Sequence, residues 1–205
     1  MSMKIKCIAS CFSLLVAASA HSQNLISVGI PSASFNFVAS SQKQTEWCWA
    51  ASTQMILQWL GFDVDQGEVV SKVKGALINQ GASDADINTA LNAVAVQRTG
   101  QPAVIHSLFA SGPPPASVLV NELGHQHPIL LSFKSGPYSS HAVVITGARY
   151  YQTRSGPVVT SLIIRDPWPT QENIRNAGRV ELAGPTLANF LPNVLKNWIV
   201  WVTPI

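Results

Sequence analysis

The 205-residue chain is 47% hydrophobic and only 11% charged, with six tryptophans, whereas an average globular chain carries roughly 25% charged residues. That balance excludes a disordered chain, and the length fits one domain with a well-buried core. The formal net charge is +3; without Lys4 and Lys6 it falls to +1, which leaves no electrostatic footprint for nucleic acid or an anionic membrane.

Lys4 and Lys6 precede an uncharged run from Cys7 to Ala20 that ends in Ala18-Ser19-Ala20. A positive start, a short apolar stretch and a small-residue site before His21 form the layout of a secretory signal peptide. The stretch is about fourteen residues, below the roughly 20 a membrane-spanning helix needs. Ile8-Ala9-Ser10-Cys11 has the look of a lipoprotein cleavage site, but almost no hydrophobic run precedes it. The expectation is a signal peptide over 1–20, cleaved after Ala20, and a single exported domain over 21–205, secreted or periplasmic and without stable membrane insertion. Cleavage removes Cys7 and Cys11 and leaves Cys48 alone, so no internal disulfide can form.

Residues 24–41 read as an extended lead-in. From Cys48 the apolar residues Ala51, Met55, Trp59 and Ile56, Leu60 recur at three- and four-residue spacing, which predicts an amphipathic helix stopped by Gly61. Val69 to Ile78 predicts a second helix, ending near Gly81. Ser83 with Asp86 three residues later resembles a capping box, opening a short helix through Ile87, Leu91 and Val94. Gly112-Pro113-Pro114-Pro115 is a loop, followed by one or two helical turns over Val118 to Leu123. The character then changes to short β-branched or aromatic runs at Pro128–Phe133, Ala142–Thr146, Val158–Ile164 and Trp198–Val202. Helices first and strands afterwards indicate an α+β domain: a helical N-terminal half packed on a C-terminal antiparallel sheet.

Cys48 falls where the lead-in gives way to the helix. Unpaired N–H groups and the dipole at a helix start favour the thiolate, the nucleophilic form; a buried structural cysteine gains nothing from that position. A thiolate nucleophile calls for an imidazole partner. His21 lies at the new terminus, His106 in a polar loop, and His125 and His127 just before a strand. His141 follows Gly136-Pro137-Tyr138-Ser139-Ser140 and opens an apolar strand, so it can point into a cleft from an anchored backbone. Asp166 closes the next strand before Pro167-Trp168-Pro169, a position beside His141 if the strands are neighbours. Gln42 lies six residues before Cys48, with Gln44 as a competing amide.

Gln42-x5-Cys48-Trp49-Ala50-Ala51, then Ser140-His141-Ala142-Val143-Val144, then Asp166-Pro167-Trp168 resembles the papain-like cysteine peptidases. The bacterial secreted effector proteases are the branch nearest in pattern, followed by the bacteriocin-leader peptidase domains; many of the latter carry Cys-Gly where this chain has Cys48-Trp49. The resemblance spans Gln42 to Trp168. It implies a papain-like fold and hydrolysis of peptide bonds through a thioester, with Cys48 as nucleophile and His141 as proton carrier. Asp166 would then orient the imidazole, and Gln42, with the Cys48 backbone N–H, would donate to the oxyanion. By the same resemblance Trp168 shields the His141–Asp166 bond, or else is a plain lid aromatic; Trp47 and Trp49 read as packing residues. The implied partner is a peptide or protein substrate, and no cofactor is called for. Cys48 with His125-x-His127 is a weak zinc signal. The rival functions are the same machinery turned on a peptidoglycan amide or on acyl transfer to an amine, and a degenerate domain that only binds peptides.

Overall fold

The computed structural model describes residues 24–205, so the expected signal peptide, with Cys7, Cys11, Ala20 and His21, lies outside the described residues. Within them the order is β1 (Leu25–Gly29), α1 (Ser32–Phe35), α2 (Cys48–Trp59), α3 (Gln66–Lys74), α4 (Asp84–Leu91), β2 (Ala93–Val96), β3 (Pro102–Ser111), α5 (Ala116–Gly124), β4 (Ile129–Lys134), β5 (Ser140–Thr153), β6 (Gly156–Arg165), α6 (Gln171–Arg175), β7 (Arg179–Ala183), α7 (Pro185–Phe190) and β8 (Val194–Pro204).

The strands form one antiparallel sheet in the order β2-β3-β8-β4-β5-β6-β7. β1 pairs Gly29–Leu25 with Gly147–Tyr151 of β5, continuing along the edge that β4 occupies from Ser140 to Ile145. The fold is α+β, with the long helix α2 set against a largely C-terminal sheet.

Both faces of the sheet are covered, and successive side chains on a strand point to opposite faces. Ala142 and Val144 of β5, Leu130 of β4 and Trp198 and Val200 of β8 join the core formed with α2, α3 and α4. Val143, Ile145, Ile129, Leu131 and Ile199 join a second core with α5 and α7. That two-sided burial is why these strands read as continuous apolar runs instead of alternating ones. α2 is likewise enclosed: every residue from Trp49 to Leu57 is buried, so it is a central helix rather than the amphipathic surface helix its spacing suggested.

α3 starts at a capping box, Asp65 with Glu68, and stops at Gly75, whose φ of 72° gives the left-handed cap that glycine adopts without strain. It therefore ends earlier than the Gly81 expected. The Ser83–Asp86 box does open α4, but the helix ends at Leu91 and Val94 belongs to β2. The lead-in contains β1 and α1, and His106 stands on β3 opposite Trp201 rather than in a loop. β2 and β3 thus put strands into the half expected to be helical.

Candidate active site

Cys48 is the first residue of α2, and Trp47 at the cap position offers no side-chain cap. The approach to it is pinned from three sides. The buried Gln66 side chain of α3 accepts from the Lys43 N–H at 2.9 Å and donates to the Ser41 carbonyl at 2.9 Å. The Gln42 N–H donates to the Pro167 carbonyl at 2.8 Å. On the far side, Trp47 and Trp49 donate their indole N–H groups to the carbonyls of Ile78 and Gln80 at 2.8 and 3.1 Å, and the Glu46 N–H donates to Asn79 Oδ1 at 2.9 Å. Trp47 and Trp49 are 5% and 2% exposed, which makes them packing residues.

One turn along α2, on the same face as Cys48, the fully buried Ser52 hydroxyl donates to the Ala142 carbonyl at 3.2 Å. This bond ties the helix that carries Cys48 to the strand residue next to His141. Sequence reasoning missed it, since Ser52 and Ala142 are 90 positions apart.

His141 Nε2 lies 2.7 Å from Asp166 Oδ1, and Cys48 lines the same cleft as this imidazole. With Nε2 committed to Asp166, Nδ1 is the ring nitrogen left for the sulfur. The two partners are 13% and 25% exposed at their side chains. Burial alone pushes the His141 pKa down, but hydrogen bonds to Asp166 and Cys48 and the negative charge of both raise it, to about 9. Near neutrality the imidazole is therefore a cation facing the sulfur. Phe133 and Trp168 meet the ring edge-on, at centroid distances of 5.7 and 6.2 Å, and the Trp168 N–H donates to Asp166 Oδ1 at 2.9 Å.

Asp166 is held from behind. Its N–H donates to the Gly178 carbonyl at 2.8 Å. At Gly178, with φ of 69°, a Cβ would stand 2.5 Å from the Asp166 carbonyl oxygen, so only glycine allows this approach. The preceding Arg165 is fully buried, and its guanidinium donates to Asn36 Oδ1 at 2.7 Å and to the carbonyls of Ala177 and Ser32 at 3.0 and 3.2 Å. Desolvation, then the charge of Arg179, lowers its pKa to about 10, which still leaves a cation near neutrality. Arg165 and Gly178 carry no motif that would have marked them; only the fold brings them to the back of Asp166.

Gln42 is placed differently from the other three. Its side chain is buried, Nε2 donates to the carbonyls of Gln44 and Thr45 at 2.8 Å each, and Oε1 has no partner. Gln44 is exposed and enters this arrangement only through its carbonyl. Cys48, His141, Asp166 and Trp168 line an open cleft of about 430 Å³; Gln42 is not among its lining residues. His125 and His127 stack on each other at 5.9 Å on the α5 side, and no group of three or more metal-ligating side chains occurs among the described residues.

A thiol on one side of a cationic imidazole, and a carboxylate on the other, is an arrangement for nucleophilic attack on a carbonyl. The profile of the papain-like cysteine protease AvrRpt2 family matches residues 31–178, which include every residue of this cleft. The chain belongs to that family. It is a cysteine-type peptidase by that membership. Among solved structures it resembles the peptidase domain of Streptococcus ComA, a bifunctional ABC transporter involved in a quorum-sensing pathway. The TM-score is 0.53 at 14% identity, over 81% of this chain and 97% of that one; the likeness is one of fold. No curated protein matches the sequence. No helix among the described residues is long and apolar enough to cross a membrane.

Proposed function

We propose that this peptidase hydrolyses peptide bonds with a Cys48–His141–Asp166 triad. The observation that carries the reading is the convergence of Cys48, His141 and Asp166 on one open cleft, with the imidazole held 2.7 Å from the Asp166 carboxylate. The Cys48 thiolate attacks the scissile carbonyl; the S–C bond forms and the carbonyl electrons move to oxygen. His141 gives its Nδ1 proton to the leaving amine as the C–N bond breaks. The neutral imidazole then takes a proton from water, whose oxygen attacks the thioester and releases the acid and the thiolate. Asp166 keeps Nε2–H directed at itself and so fixes the tautomer, and Trp168 covers that bond from one side.

The oxyanion is assigned to the Cys48 backbone N–H and Gln42. Both Nε2 hydrogens of Gln42 serve loop carbonyls in the free protein, so the amide exchanges one of them for the oxyanion when substrate arrives. Such a donor contributes about 2.7–4 kcal/mol to the transition state.

The chain is also proposed to be exported after cleavage behind Ala20, which rests on the residue pattern of positions 4–20 and is tested by N-terminal sequencing of the exported protein. For the activity, purified protein is incubated with casein and, separately, with isolated cell-wall sacculi. The expected result is casein cleavage by the wild type, none by Cys48→Ala, and an unchanged circular-dichroism spectrum. A Cys48→Ala protein that still cleaves overturns the mechanism; release of material from sacculi but not from casein overturns the substrate.

A further inference from the structure

A second, smaller cleft of about 220 Å³ adjoins the first and shares Cys48, Ser139 and Ser140 with it. It is narrower than the roughly 300 Å³ at which small-molecule pockets begin, a size for one side chain. Trp49, Ala82, Ile87 and Ala142 form an apolar patch in its lining, and Glu46, Tyr138 and three serines make the rest polar. Glu46 and Tyr138 are exposed, Tyr138 completely so. Glu46 lines this cleft and the larger one alike, and its Oε2 lies over Gly81, 3.8 Å from where a Cβ would be.

Two lysines near this cleft are already paired with carboxylates. Lys74 is bonded to Asp86 at 2.7 Å and Lys196 to Asp84, and the larger cleft holds the His141–Asp166 pair. No cationic side chain pairs with Glu46 among the described residues. Its carboxylate is, among the described residues, the one acidic or basic side chain in the lining of this smaller cleft. A cleft that sets an apolar patch beside one carboxylate and an exposed aromatic ring suits a side chain with an aliphatic stem and a cationic head: Ile87 and Ala82 offer surface to the stem, and Glu46 and the Tyr138 ring to the head.

Building on the peptidase reading, we infer that this cleft selects a lysine or arginine close to the scissile bond, with Glu46 as the residue that sets the preference. Tyr138 closes over the cationic head from the β4–β5 turn.

The test maps the bonds cleaved in denatured casein by mass spectrometry for the wild type, Glu46→Gln, Glu46→Lys and Tyr138→Ala, each checked for folding by circular dichroism. The wild type is expected to show Lys or Arg enriched at one position within three residues of the cleaved bond. On a peptide pair differing only by lysine or norleucine there, kcat/KM differs by about three- to thirty-fold, the range of one exposed ion pair plus one exposed cation–π contact. The ratio falls towards one in Glu46→Gln and in 1 M NaCl, falls partway in Tyr138→Ala, and inverts in favour of norleucine in Glu46→Lys. Cleavage with no basic preference, or a preference that survives Glu46→Gln, overturns the inference and leaves the peptidase reading standing. Casein left intact by the wild type overturns both.

Discussion

Replacing Asp166 with asparagine keeps the shape and an acceptor for His141 Nε2 while removing the negative charge. The imidazole is held at about 9 in the folded protein, against about 6.5 when unfolded, and one unit is worth 1.36 kcal/mol. Because the folded value is the higher one, the stabilisation is complete below pH 6.5 and disappears as the pH rises through 9. Over that window the wild type therefore loses about 3 kcal/mol from this group. Both side chains are less than one-third exposed, so solvent screening removes little of it. In Asp166→Asn the burial that lowers the imidazole's pKa is opposed by Cys48 alone, and the loss shrinks. Urea unfolding of both proteins at pH 6 and 9.5, under reducing conditions, measures this as a difference in which all other titrating groups cancel. The alkaline limb of the pH–rate profile moves to lower pH in the variant, because the imidazolium gives up its proton earlier. Equal stability loss in the two proteins, together with an unmoved alkaline limb, refutes the assignment of Asp166 as the group that charges His141.

Ser52→Ala removes the bond between α2 and the strand next to His141, at a cost of about 1 kcal/mol, read as a fall of about 2–4 °C in Tm for a domain of this size. Its kcat is expected to drop about tenfold at unchanged KM, since sulfur and imidazole are no longer held in register; an unchanged kcat refutes the positioning role. Gln42→Ala is expected to lower kcat about 100- to 1,000-fold with KM little altered, and a variant that raises KM alone shows that the amide only shapes the loop. Gly178→Ala forces a Cβ against the Asp166 backbone at positive φ, at a cost of about 1–3 kcal/mol, and its Tm falls accordingly; a variant as stable as the wild type refutes the close approach.

Residue chemistry made part of this molecule readable in advance. Cys48, His141 and Asp166 were singled out by type and by their places at a helix start, a strand start and a strand end, and they meet in one cleft. α2, the Ser83–Asp86 box and strands β4, β5, β6 and β8 were readable because helical spacing and two-sided burial leave strong local patterns. β1, β3 and β7 were not. β3 runs from buried Ala103 to an exposed end carrying Leu108 and Phe109, and β7 carries Arg179 and Glu181, so neither pattern alternates cleanly. Their existence depends on partners far along the chain. The same holds for Ser52, Gly178 and Arg165, whose neighbours are set by the sheet and not by nearby sequence. Gln42 was found by its offset from Cys48, but no spacing rule could tell that its amide would rest on two carbonyls of its own loop.

Strand β8 lies between β3 and β4, in the middle of the sheet, although it follows all the other described strands in sequence. Until Val194–Pro204 is in place, β3 with β2 has nothing to join it to the remaining strands, and Trp198, whose indole N–H donates to Asn88 of α4 at 2.7 Å, is missing from the core. Pairing across such long separations is slow to form. A hydrolytic enzyme built this way comes together only after segments far apart in sequence have paired: the two blades exist before the rivet that joins them.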